Sequence, residues 1–114
     1  MLNKALPAVV VCLMMSGTAW AEPDYNRLAD AIYKAEGGKN TRHAYGILAK
    51  YKHTTPRQAC INTIRHKYSD WVKQGSKGDF IAYLGSKYAP INSDTDNGTN
   101  KFWVKNVRYF LLTQ

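Results

Sequence analysis

Apolar residues recur at helical spacing in four stretches of this chain, and polar or glycine-rich segments separate them. Between Asp24 and Glu36, Leu28, Ala31, Ile32 and Ala35 fall on one stripe. Asp24 stands where an N-cap is expected, and Gly37-Gly38 supply the left-handed termination that helices favour. The second helix opens with Thr55 as N-cap, Pro56 at the first helical position and Gln58 completing a capping box. It runs to about Gln74 and offers Cys60, Ile61, Ile64, Tyr68, Trp71 and Val72 to a core. A third, "FIAYLGSKY", follows the cap residue Asp79 and stops before Pro90, and a fourth spans about Lys101 to Leu112 with Trp103, Val107, Phe110 and Leu111 inward. Short connections and one shared apolar face predict a small, compact all-α domain.

One position breaks the pattern. Glu36 lies four residues after Ile32 and eight after Leu28, which puts a carboxylate on the buried stripe. Desolvation and the negative end of the helix dipole both raise a carboxyl pKa there. An acid held protonated near neutral pH can donate to a glycosidic oxygen, a logic whose worked example is lysozyme. The bland alternative is a solvated helix end, with Glu36 paired to Lys39 or Arg42. Apart from Glu22, Glu36 is the only glutamate after the leader described next.

Met1 to Ala21 reads as a cleaved secretory signal peptide, with Lys4, the apolar run "ALPAVVVCLMM" and the cleavage pattern Ala19-Trp20-Ala21. The domain is then residues 22–114, one core without a transmembrane segment, exported to the periplasm or the exterior and expected to be monomeric. Formal net charge is +8, or +7 once Lys4 leaves with the leader, which suits a polyanionic envelope. Nucleic acid is disfavoured, because no basic helix stripe with interleaved aromatics stands out.

Cys60 remains alone once Cys12 is removed, so no intramolecular disulfide forms. His66 lies about 120° around the helix from Cys60, too far for a local dyad. His43, His53 and His66 lack metal-ligand spacing, so neither metal nor cofactor is expected. Asp94 and Asp96 in the polar loop "INSDTDNGTN" are the candidates for a second carboxylate, although turns of this kind are commonly solvated. The run does not fit a calcium loop, because Ser93, Thr95, Asn97 and Val104 fall at its ligand positions. Tyr45 beside Gly46 is the better candidate for a sugar contact, since glycine lets a backbone approach a ligand closely. Tyr88 is expected in the core or the cleft wall.

"AEGG", followed by "AYGIL" and by Ala82-Tyr83, resembles the lysozyme-like superfamily, and most of all the small lytic transglycosylase domains of bacteria and phage. The ending "LGSKYAP…NKFWVKNVRYFL" is similar to the tail of small lysozyme-like proteins. The resemblance implies Glu36 as catalytic acid, with Tyr45, Gly46, Ile47 and Tyr83 along the sugar cleft. It implies peptidoglycan glycan strands as substrate, cut between N-acetylmuramic acid and N-acetylglucosamine. Three positions depart from the family pattern: Gly37 for Ser, Ala49 for Gln and Leu84 for Asn. A hydrolytic muramidase and a non-catalytic peptidoglycan-binding domain are the alternatives.

Overall fold

The computed structural model describes residues 22–114; the leader assigned to Met1–Ala21 lies outside them. Four α-helices carry the fold: α1 (Tyr25–Ala35), α2 (Pro56–Lys73), α3 (Phe80–Tyr88) and α4 (Trp103–Leu112). Short 3-10 turns lie at Gly38–Asn40, Ala44–Gly46 and Asn100–Phe102, and the described residues contain no strand. The last helix therefore enters through a 3-10 turn instead of starting at Lys101. No helix among the described residues is long and apolar enough to cross a membrane.

Side-chain oxygens begin three of these helices. Asp24 accepts from the Arg27 amide (3.1 Å), Thr55 from the Gln58 amide (3.1 Å) and Asp79 from the Ala82 amide (2.9 Å). Each such cap contributes about 1 kcal/mol. The capping box at Thr55 is only half formed, because the Gln58 side chain reaches forward to Asn62 (2.9 Å) and not back to the cap. Gly37 (φ 112°) and Gly38 (φ 56°) end α1 in the left-handed region.

The core gathers Leu28, Ala29, Ala31 and Ile32 from α1, Cys60, Ile61 and Ile64 from α2, Phe80 and Leu84 from α3, and Trp103 and Val107 from α4. Ile32, Ile64, Leu84 and Val107 are fully buried, each contributing about 1.5–3 kcal/mol of transfer free energy. Val72, expected in this core, is instead 45% exposed near the end of α2, where Tyr68 and Trp71 close the apolar face against Phe80.

α1 and α4 form the most extensive helix pair and run antiparallel. Arg27 near the start of α1 donates to the Leu111 carbonyl (3.0 Å) and to Gln114 (3.2 Å), and Gln114 returns a bond to the Arg27 carbonyl. At the other end, Trp103 meets Glu36. α3 is likewise antiparallel to α4: Asp79 pairs with Arg108 (2.6 Å), and Gly85 lies under Trp103 and Val104. A side chain at Gly85 would put its Cβ 2.6 Å from Val104 Cγ2 and 3.0 Å from the indole, so glycine is what lets the two helices close.

Candidate active site

The end of α1, the 41–48 loop and the 88–100 segment enclose a cleft of about 270 Å³. Glu36, Thr41, His43, Gly46 and Leu48 line one side; Tyr88, Ala89, Pro90, Thr95, Asn97, Thr99 and Asn100 line the other. Glu36 is the only carboxylate among these residues. Hydroxyl and amide side chains dominate the second wall, a composition suited to the hydroxyl and acetamido groups of sugars.

Glu36 is the C-cap of α1, its own amide donating back to the Ile32 carbonyl (2.9 Å). Its side chain is part-buried and accepts one hydrogen bond, from Trp103 Nε1 to Oε2 (2.9 Å). Burial raises its pKa, and the Trp103 bond opposes that by favouring the ionised form. An indole N–H can only donate, so Oε2 is held as an acceptor and an acid proton belongs on Oε1. Oε1 has no hydrogen-bond partner among the described residues.

Gly46 lies directly against this carboxyl. A Cβ there would come within 2.8 Å of both Cδ and Oε2 of Glu36, and the glycine itself has φ 71°. Tyr45 precedes it, also left-handed at φ 61°, an uncommon conformation for a residue with a side chain. Its neighbours hold it there. The part-buried Tyr88 hydroxyl donates to the Tyr45 carbonyl, Arg57 Nη1 donates to the Tyr45 hydroxyl (3.1 Å), and the Tyr33 ring packs at 5.1 Å. Arg57 also pairs with Asp30 (2.7 Å), tying this turn to α1 and α2 together. Tyr88 stacks on Trp103 at 5.3 Å, so the same residue steadies both the glycine turn and the indole.

Of the residues singled out from sequence, Glu36 and Gly46 meet in the cleft. Tyr45 is 8% exposed and supports the turn from beneath, Ile47 faces a neighbouring groove, and neither lines the cleft. Tyr83 is also outside it, accepting from Gln74 Nε2 (3.2 Å) with Lys87 over its ring. Asp94 does not line the cleft. Asp96 is occupied with its own loop: it accepts from the backbone amides of Asn92 (2.8 Å), Gly98 (2.8 Å) and Asn100 (3.1 Å). The Asn92 and Asn100 amides, then that of Gly98, hold its carboxyl below the usual range. Its neighbours Thr95 and Asn97 reach the cleft in its place.

Leu84, which stands where the resembled motif has Asn, is fully buried in the core. Cys60 is buried too, its thiol pushed up to about 11 by burial and touched by the Tyr88 hydroxyl (3.5 Å), which suits a core residue and not a nucleophile. No group of three or more His, Cys, Asp or Glu that would hold a metal occurs among the described residues. Trp103, which the helical spacing assigns to the core alone, also donates to Glu36 at the cleft. The available signal was that a buried indole N–H needs an acceptor.

Comparison of the chain with protein-family models, with curated proteins and with solved structures finds no match.

Proposed function

We infer that the domain cleaves peptidoglycan glycan strands as a lytic transglycosylase, with Glu36 as its acid and then its base. The observation that carries this reading is a single part-buried carboxyl, with raised pKa, fixed by an indole donor in a cleft whose other lining residues bear no carboxylate. A two-carboxylate hydrolysis requires a partner acid roughly 5–9.5 Å away. The cleft lining offers none, and the three amide bonds to Asp96 leave it poorly suited to activating water.

In the proposed reaction, the proton on Glu36 Oε1 passes to the oxygen linking muramic acid C1 to the next sugar. The C1–O bond breaks and the N-acetylglucosamine end leaves as an alcohol. The resulting carboxylate then takes the proton of the muramic acid C6 hydroxyl, and that oxygen bonds to C1 to close an anhydro ring. No water is consumed. Trp103 fits both halves, since its bond to Oε2 strengthens when the carboxyl is ionised and leaves Oε1 to exchange the proton. An exported protein would meet this substrate in the envelope.

The buried Leu84 favours a second reading, a domain that holds glycan without cutting it, because the position cannot supply the family's side-chain contact to sugar. Mass spectrometry of digested cell walls separates the possibilities. Anhydromuramoyl ends, abolished by Glu36→Gln in a folded protein, are expected. Reducing ends carrying an added water mean a muramidase. Intact glycan after exposure to the native protein leaves the binder, and full activity of Glu36→Gln removes Glu36 from either mechanism.

A further inference from the structure

A second groove, of about 640 Å³, opens beside the cleft and shares His43 and Leu48 with it. The part-buried Ala44 and Ile47 give it an apolar floor, and the exposed Arg42, Lys50, Tyr51 and Pro56 also line it. Leu48 is 65% and Tyr51 47% exposed, so apolar surface stands open to solvent next to the basic groups. The ion pairs among the described residues are Arg57–Asp30, Lys67–Asp70 and Arg108–Asp79, so Arg42 and Lys50 have no carboxylate partner. Nor does the local sequence supply one: residues 37–69 contain seven Lys and Arg and no Asp or Glu.

We propose that this groove binds the acidic peptide stem of the muramic acid whose glycosidic bond lies at Glu36. The proposal rests on the peptidoglycan reading above. The stem branches from the same sugar that Glu36 would attack, so its first residues must leave through a space bordering the cleft. The groove is such a space, with His43 and Leu48 as the shared edge. Small apolar stem residues fit its floor, and the stem carboxylates meet Arg42 and Lys50, a complementarity that fixes register more than it adds raw affinity. Ile47, outside the cleft, has a role here as part of the floor.

Binding is measured with Glu36→Gln as the non-cleaving background, against two polymers: glycan with its stems, and the same glycan stripped of stems by an amidase. Stem-bearing glycan is expected to bind about tenfold more tightly, a factor equivalent to ~1.4 kcal/mol. Adding R42A/K50A should remove that preference. Adding K73A/K105A, which deletes the same charge from exposed positions lining neither cavity, should keep it. Equal loss in both double variants would reduce the groove to net charge and overturn the proposal. No preference between the polymers also overturns it, while leaving the Glu36 chemistry to be judged by the products. Binding to neither polymer would overturn the peptidoglycan reading, and the proposal with it.

Discussion

Replacing Trp103 by phenylalanine removes one hydrogen bond from Glu36 and leaves an aromatic ring to stack on Tyr88. The bond runs from a buried N–H to a part-buried carboxyl at 2.9 Å. Hydrogen bonds to ionised groups contribute about 1.5–3 kcal/mol, and about 1.4 kcal/mol moves a titration midpoint by one pH unit. Burial alone then acts on Glu36, so its midpoint should rise from the already raised native position by about one pH unit, at the lower end of that range. The sign is definite, because only the ionised carboxyl loses a favourable partner. A carboxyl-labelled NMR titration reads the shift without requiring activity. If the chain is a transglycosylase, the alkaline limb of its pH–rate profile moves upward with it, while the maximal rate falls because Oε1 is no longer aimed. A midpoint that stays put or drops in a folded Trp103→Phe protein would refute the assignment of Trp103 as the positioning donor.

Gly46→Ala places a Cβ 2.8 Å from the Glu36 carboxyl and asks alanine to hold φ 71°. It should lower turnover by about two orders of magnitude, as a displacement of about 1 Å at a reacting group does, while costing about 1–2 kcal/mol of stability in a denaturant titration. Asp96→Asn should weaken the 92–100 loop and lower activity through Thr95 and Asn97, whereas Asp94→Asn should leave activity within a factor of about two, since surface changes rarely matter more. The reverse ranking would return Asp94 to consideration as a catalytic base. Glu36→Gln should stabilise the fold at pH 7 by about 1 kcal/mol, the usual trade against an active-site charge, and give no gain near pH 3. The folded chain holds the Glu36 proton more tightly than the unfolded chain. Stability from that proton is therefore complete below the ordinary carboxyl range and lost as pH rises through the folded midpoint. Melting curves at the two pH values check this.

Helix existence was legible because cap chemistry and apolar spacing agreed: Asp24, Thr55 and Asp79 each receive the amide that their positions implied. Glu36 was legible for a related reason, an acid on an apolar stripe being conspicuous by its cost. The turn at Tyr45 was not, because its left-handed backbone is imposed from outside by Tyr88 and Arg57, and nothing local in "AYG" encodes it. Tyr83 misled for the opposite reason. Its dipeptide resembles a family motif, yet the register of α3 sends it to Gln74, while Tyr88 on the same helix reaches the cleft. The pairing of Glu36 with Trp103 spans 67 residues, beyond any pattern a periodicity can register.

That span has a consequence for the order in which the protein becomes competent. A growing chain releases Glu36, Gly46 and the basic groove early, whereas the indole that holds the carboxyl arrives later, with α4. Until α4 docks along α1, through Arg27 at one end and Glu36 at the other, the acid has no indole donor. A copy in which α4 has not docked lacks this arrangement, so a lytic chemistry of the kind proposed would become available only once it has. On the proposed reading, a carboxyl paired with a residue 67 positions later ties the chemistry to the docking of α4.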